Sequence, residues 1–401
     1  MSTQPVSINQ GLLDALRPAA RLAPASGIVE MVNHGLEREG LIPLWAGEGD
    51  LPTPKFIRNA AVASLGAGET FYTYQRGIPL LRRAISDYMT RLYGDAFPFE
   101  PERFFVTGSG MQAIQIAVAS VAGPGSSVLV PTPTWPNFPA AAELSGAEVI
   151  TVLMAFEDGR WQLDIDTLFD AARPDTKAVF INSPGNPTGW TASDEELQKI
   201  LSRARRQGLW IIADEIYARF YYGAANDGFR ADSFHDLAEP DDRILYVNTL
   251  SKNWAMTGWR IGWIEAPPVL GTVIENLIQY STSGVATFIQ KAAVTALNDG
   301  DDFITEQVAR ARAGRDVVTE ALSKLPQVQV SPPEGAFYYF FAVDGVEDSR
   351  KLGFEMIDQA GIGLAPGTAF GPGGEAFMRL CFIRQAASLR EAMDRLVKML
   401  G

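Results

Sequence analysis

The sequence predicts an α/β fold in two parts. A large domain is built on a mostly parallel sheet covered by helices on both faces, and a smaller domain is α+β. Three observations predict it. From about Ala60 to Pro268, short runs that are apolar throughout alternate with segments of helical spacing. Strands without polar alternation, separated by helices, belong to parallel sheets buried on both sides. From about Asp299 onward a long charged helix precedes short strands. The length of 401 residues, 47% hydrophobic and 20% charged, suits two or three domains and a deep cleft. The predicted large domain is 49–298, and the small one combines 1–48 with 299–401.

The elements follow in order. "RFFVTG" is apolar and β-prone, and "MQAIQIAVASVA" has helical spacing. "SSVLVPTP" is a short strand running into prolines, and "KAVFINSP" is a strand ending in a turn. "DEELQKILSRARRQG" is a helix whose acidic start and basic end complement its dipole. "LWIIADE", "RILYVNT" and "RIGWIEA" are further strands. The charged helix "ITEQVARARAGRDVVTEALSKL" then leads to strands in "VQVSPPEGAFYYFFAV" and "FMRLCFI".

Composition narrows the chemistry. Net charge is −13, so neither nucleic acid nor an anionic membrane is an expected partner. No apolar run is long enough to span a bilayer. The opening "MSTQPVSINQGLLDALRP" lacks a secretory apolar core, and Cys381 is the only cysteine, so a cytoplasmic location is expected. His34 and His235 are the only histidines, which leaves a zinc cluster or a histidine triad poorly supplied. These two and Cys381 are expected to be structural.

In open α/β sheets ligands bind beyond the carboxyl ends of the strands. After "RFFVT" come Gly108, Ser109, Gly110, Met111, Gln112 and Ala113, opening a helix. Such a turn offers backbone N–H groups and a helix dipole to an anion. It also matches a dinucleotide fingerprint. A ribose-binding acid should then follow the next strand, but "VLVPTPTW" has none, so a phosphate without a ribose fits better. After "AVFI" the turn "NSPGNPTG" presents an asparagine amide. After "LWIIA" stand Asp214, Glu215 and Tyr217, and a carboxylate there needs a cation or a ligand N–H. After "ILYVNT" comes Lys252, whose amine becomes a nucleophile if desolvated, and Arg260 follows as a phosphate clamp. Each feature alone also suits a turn, a paired acid or a surface lysine. Together they meet the needs of pyridoxal 5′-phosphate: an amine for its aldehyde, an acid for its ring nitrogen, polar groups for its hydroxyl and a phosphate cradle. Trp135 stands where an aromatic could stack on the ring.

With these residues in place, the sequence resembles a fold-type-I aminotransferase of class I/II, in the aspartate aminotransferase superfamily. "LWAGEGDLPTP", "FYTYQRGIPLLRRAI", "NSPGNPTG", "ADEIY", "SKNWAMTGWRIGW" and "FMRLCF" occur in that family's order and spacing. The resemblance runs from about Gly27 to the C-terminus.

The resemblance implies roles. Lys252 would hold the coenzyme as a Schiff base and then carry the proton at the substrate Cα. Asp214 would keep the ring nitrogen protonated, and Tyr217 and Asn186 would bond the ring oxygen. Ser109, Gly110, Ser251 and Arg260, with Thr249, would bind the phosphate. Met111 sits at a cradle position where relatives often carry a polar ligand. Trp135 would stack on the ring, and Tyr72 would reach the neighbouring subunit's phosphate, making a homodimer with shared sites. Arg379 would take the substrate's α-carboxylate beside the Gly47 backbone, with Asn186 and Trp135 bordering the substrate. Gly49 departs from the family's proline in "GEGD" and is expected to loosen that loop. Phe337 to Phe341 read as a core strand, with Phe337 or Tyr338 placed to line the pocket. Trp254 and Trp259 read as packing.

The implied activity transfers an amino group from an L-amino acid to a 2-oxo acid in two half-reactions through pyridoxamine phosphate. A β-eliminating lyase of the cysteine-S-conjugate type would share every coenzyme contact. A regulatory or binding protein on this fold is the alternative of another class. The retained Lys252 opposes it, as does the lack of room for a DNA-binding domain before the pattern begins. A nicotinamide dehydrogenase is disfavoured by the absent ribose acid. Arg76, beside Tyr72, is a candidate for a distal substrate carboxylate.

Overall fold

The computed structural model describes residues 10–401. Residues 1–9, which the sequence reading assigns to the small domain and searches for a secretory signal, lie outside the described residues. Among the described residues a seven-stranded sheet forms the larger part. Its strands are β1 (Phe104–Thr107), β2 (Ser127–Thr132), β3 (Glu148–Leu153), β4 (Thr176–Asn182), β5 (Trp210–Asp214), β6 (Ile244–Thr249) and β7 (Gly262–Glu265). The order across the sheet is β1-β7-β6-β5-β4-β2-β3. Neighbours run parallel except at β7, which is antiparallel to both β1 and β6.

Strand burial explains the unbroken apolar runs. In β5, Ile211 and Ala213 join one core cluster while Ile212 joins the other. In β6, Ile244 and Tyr246 face one way and Leu245 and Val247 the other. Side chains alternate across a strand, so two covered faces demand apolar residues at every position. β3 is the strand that the sequence reading does not name. It lies at the sheet edge with most of its side chains exposed or half-buried, so no continuous apolar run marks it.

The helices that matter for the site are α1 (Lys55–Gly66), α2 (Pro79–Tyr93), α3 (Gly110–Val121), α4 (Asp194–Gln207) and α5 (Thr287–Asp299). α4 shows why such segments are helical. The Ser193 Oγ accepts from the Glu196 N–H at 3.3 Å, and Glu196 Oε2 accepts from the Ser193 N–H at 2.8 Å. This reciprocal cap stabilises the first turn by about 1 kcal/mol. Leu197, Ile200, Leu201 and Ala204 form the buried face, and Gly208 ends the helix at φ 67°.

The C-terminal part begins with α6 (Asp301–Leu322). It then forms an antiparallel sheet of β8 (Val328–Gln329), β9 (Tyr338–Val343), β10 (Ala365–Pro366) and β11 (Phe377–Cys381), ordered β8-β9-β11-β10. α7 (Ala386–Leu400) packs on α6. The chain before residue 48 lies against this part. Ile42 and Pro43 pair in parallel with Ile362 and Gly363, the Cys381 N–H donates to Leu44 O at 2.9 Å, and Arg350 Nε donates to Glu30 at 2.7 Å. The two sheets share a core. Trp161, Phe340, Phe370 and Phe377 belong to the same buried cluster as Leu129 and Val179.

Candidate active site

The carboxyl edge of the large sheet gathers the residues that the sequence places beyond each strand. Asn182 pairs with Asp214, and Asp214 with Val247, so β4, β5 and β6 end side by side. β7 runs the opposite way, so its first residue, Gly262, lies beside both Thr249 and Thr107. Arg260, two residues earlier, is thereby brought to the same edge as the groups following β1, β5 and β6. Gly262 is needed there. A Cβ would come within 2.5 Å of Asn248 O and 3.1 Å of Gly110 N, so a side chain would force β7 away from the start of α3.

A cavity of about 240 Å³ opens at this edge. Gly110, Met111, Thr249, Ser251 and Arg260 line it together with Trp135, Asp214 and Lys252. Ser109 caps α3 through its Oγ, which accepts from the Gln112 N–H at 3.0 Å. Ser251 Oγ and Thr249 Oγ1 are 2.9 Å apart. Arg260 adopts a left-handed φ of 54°, uncommon for a residue with a Cβ, and its Nη1 donates to Thr257 O at 2.5 Å. Helix N–H groups, hydroxyls and one guanidinium lining one cavity form an anion cradle. Met111 offers only a thioether, which accepts from Asn137 Nδ2 at 3.6 Å.

Asp214, on the same cavity, is buried. Its carboxylate accepts from the Ile216 N–H at 3.4 Å, and among the described residues no cation is within ion-pair distance. Burial, with Glu215 adding to it, pushes the carboxyl up to about 7 against the pull of the Ile216 N–H and Lys252. A buried acid in that state calls for a ligand N–H. Asn182 holds this corner together. Its Nδ2 donates to Asp214 O at 3.1 Å, and its Oδ1 accepts from the Asn186 N–H at 2.8 Å. Lys252 Nζ donates to Gly47 O at 2.6 Å. Burial, helped by the Arg379 charge, lowers its pKa to about 8, against Cys381, Glu48 and Asp214. At pH 7 about one amine in ten is then neutral, against roughly one in two thousand for an ordinary lysine.

A second cavity, of about 340 Å³, continues past Lys252 to Arg379. Arg379 is buried. Its Nη1 donates to Asn186 Oδ1 at 3.1 Å, its Nη2 donates to Trp45 O, and its Nε has no partner among the described residues. The guanidinium lies 4.5 Å from the Tyr338 ring centroid and 4.9 Å from that of Phe370. Tyr217 and Tyr338 join hydroxyl to hydroxyl at 2.6 Å. The lining residues from the N-terminal segment, Ser26, Ile28, Trp45 and Ala46, were not anticipated. Adjacency to Gly47 was the available signal for Trp45 and Ala46, whereas Ser26 and Ile28 carried none. Asn182 stood out in the sequence only as the start of a turn.

These groups fit pyridoxal phosphate. The anion cradle, the unpaired buried acid and a lysine of lowered pKa line one small cavity. Tyr217 and Asn186 line the adjoining cavity, which shares Trp135, Asp214 and Lys252 with it.

Two predicted residues lie elsewhere. Arg76 packs its guanidinium 4.6 Å from the Phe105 ring centroid and its Nη2 donates to Glu102 O at 2.6 Å, so within its own chain it does not join the groups around Lys252. Tyr72 is 95% exposed and touches nothing at the site of its own chain. The residues flanking Gly49 are held by polar contacts. Glu48 accepts from Thr257 Oγ1 at 2.6 Å, and Asp50 pairs with Arg310 at 2.5 Å and accepts from the Gln385 N–H at 2.6 Å. Phe337 and Trp259 line a separate, larger cavity of about 700 Å³ that also reaches Lys252. Trp254 is packing, edge-on to Tyr88.

Comparison with known proteins agrees with the geometry. The family model described as aminotransferase class I and II matches residues 39–396. A probable aspartate/prephenate aminotransferase of Aquifex aeolicus is 34% identical over 96% of each chain. An aromatic-amino-acid aminotransferase of Thermococcus litoralis is 33% identical over 90% of this chain and 92% of its own. The crystal structure of aspartate aminotransferase from Thermotoga maritima superposes with a TM-score of 0.88 at 32% identity, covering 96% of this chain and all of that one.

Proposed function

The chain belongs to the class I and II aminotransferases, and from that premise we propose how its residues divide the work. It is a pyridoxal-phosphate-dependent aminotransferase that moves an amino group from an amino acid to a 2-oxo acid. Bound in the small cavity, the coenzyme supplies an aldehyde to take up the amino group and a protonated ring to accept the electron pair left at Cα.

Lys252 anchors the coenzyme through Nζ, and once an incoming amine frees it, Nζ is the base for the substrate's Cα–H. Its lowered pKa makes the neutral amine accessible near neutral pH. Asp214 holds the proton on the ring nitrogen by charge. Tyr217 and Asn186 orient the ring through its oxygen, and Trp135 covers its face. Ser109, Gly110, Thr249, Ser251 and Arg260 hold the phosphate, and at Met111 the cradle relies on backbone N–H. Arg379 clamps the α-carboxylate of the L-amino acid beside Gly47 and so places Cα–H toward Lys252. The single observation that carries this reading is the unpaired, buried Asp214 lining the same cavity as the α3 anion cradle and Lys252.

Residues 49–298 thus carry the coenzyme groups, and Arg379 comes from the 299–401 part. Among the described residues lining the Arg379 cavity, Lys252 and Arg379 are the only cations. A distal carboxylate would therefore be met by the second subunit of a homodimer, through the exposed segment at Tyr72. A cytoplasmic location is consistent with a single cysteine and with the lack, among the described residues, of any helix long and apolar enough to cross a membrane. Borohydride reduction of the yellow, coenzyme-loaded protein should attach the coenzyme at Lys252. A panel of amino donors with 2-oxoglutarate or pyruvate then reads the substrate class. Label at any other residue, or none, overturns the assignment.

A further inference from the structure

We propose that Tyr338 is a positioning residue whose hydroxyl donates to the Tyr217 oxygen and so directs the Tyr217 proton at the coenzyme's ring oxygen. The inference rests on the coenzyme reading above and adds a residue to it.

The two phenols come from different sheets. Tyr217 follows β5 of the large sheet, and Tyr338 opens β9 of the small one. Both are buried, and their hydroxyls are 2.6 Å apart with either able to donate. A phenol has one proton to give and can accept another. If Tyr217 gives its proton to the coenzyme, the short contact survives only with Tyr338 as donor. A donor behind Tyr217 polarises its O–H and strengthens the bond it makes in front.

Tyr338 is fixed on several sides. Its ring carries the Arg379 guanidinium at 4.5 Å and meets the Tyr217 ring nearly perpendicular at 5.6 Å. Its backbone pairs with Cys381 in β11, two residues from Arg379. Its hydroxyl occupies space left by Gly47, where a Cβ would lie 2.4 Å from the oxygen. Gly47 also accepts from Lys252 Nζ at 2.6 Å. Burial pushes the Tyr338 phenol up, and the Arg379 charge works against that, so the same arginine that clamps substrate favours Tyr338 as a donor.

The test uses holoenzyme and reads the pH midpoint at which the bound coenzyme's visible absorbance changes. Donation from Tyr217 favours the negatively charged ring oxygen and so lowers that midpoint. Tyr217→Phe should raise it. Tyr338→Phe should raise it in the same direction by about half a pH unit, a threefold change in proton affinity. The double variant should match Tyr217→Phe alone. Gly47→Ala, which displaces the Tyr338 hydroxyl while keeping it, should reproduce the Tyr338→Phe shift. An unmoved midpoint in Tyr338→Phe overturns the proposal, as does a Tyr338→Phe shift that persists undiminished without the Tyr217 hydroxyl. Wild-type protein with no yellow colour trapped at Lys252 would overturn the coenzyme reading instead.

Discussion

Asp214 is buried, its carboxylate accepts from a backbone N–H, and its carboxyl is pushed up to about 7. For an acid, a folded pKa above the unfolded value means that ionisation opposes folding. The penalty is absent below about 3.8, grows as pH rises and is complete above about 7. A ring N–H in the cavity offsets it. Asp214→Asn should therefore leave the melting temperature of coenzyme-free protein unchanged or raised at pH 8. The same variant should lower kcat of the loaded enzyme by roughly a hundred- to a thousandfold, the usual effect of removing one preorganised charge partner. A coenzyme-free variant that melts well below wild type at pH 8 would show that Asp214 has a structural partner. Lys252 gives the matching pH dependence. Its pKa near 8 means that the capable, neutral amine is the minor form at pH 7 and the major form at pH 9. Coenzyme capture by coenzyme-free protein, followed by stopped-flow absorbance, should accelerate with a midpoint near pH 8 rather than above 10. Arg379→Lys keeps the charge but loses the planar fork, and kcat/KM should fall by about a hundredfold or more with coenzyme spectra intact.

Behind the site, β5, β7 and the turn before β1 are locked by buried charge. His235 lies 2.9 Å from Glu265 Oε2 and 3.6 Å from Glu215 Oε2, and Arg103 Nε lies 3.2 Å from Glu265 Oε1. Burial pulls the imidazole down, but the Glu265 charge and the bonds to both glutamates win and raise it to about 9. A base whose folded pKa is raised contributes stability that is fully present below its unfolded value of about 6.5. That stability, about 3 kcal/mol, is lost as pH rises through about 9. Urea midpoints of wild type should thus fall between pH 7 and 9.5, and those of His235→Gln should fall less. The sequence led to the expectation that His235 is structural but did not reveal what it pairs with, because its partners close β5 and β7 and meet only in the folded sheet. The same limit runs through the site. Asp214, Lys252 and the Ser109–Gly110 turn were legible because a parallel sheet delivers strand ends to one edge. The bond from Arg379 to Asn186 spans 193 residues and two sheets, and no local pattern encodes it. Nearness in sequence to Tyr72 likewise does not say which way Arg76 turns, and in its own chain Phe105 and Glu102 hold it away from Lys252.

At the scale of the molecule, one surface strip is left with more large apolar side chains than solvent favours. Phe71 is 83% exposed, Tyr72 95%, Val269 85% and Tyr280 87%. They belong to neighbouring segments. Gly284 lies against Tyr74 O, Gly271 lies against the Arg76 guanidinium, and a cavity of about 390 Å³ runs between residues 70–73 and 282–286. A contiguous patch of this kind marks an interaction surface, and a second copy of the chain fits the homodimer proposed above. The dimer makes a prediction that a monomer cannot satisfy. If Tyr72 of one subunit completes the phosphate site of the other, Lys252→Ala and Tyr72→Ala damage different halves of one composite site. In a mixed dimer, the Lys252→Ala subunit supplies an intact Tyr72 to the Tyr72→Ala subunit's intact Lys252, so one of the two sites is whole. Random reassortment of equal amounts makes half of the dimers mixed. Activity should then recover to about a quarter of wild type, well above either parent, after unfolding and refolding the two together. Sedimentation should show a dimer throughout. Recovery no greater than the mean of the separate variants would place Tyr72 outside the partner's site, and a monomer would remove the shared site altogether.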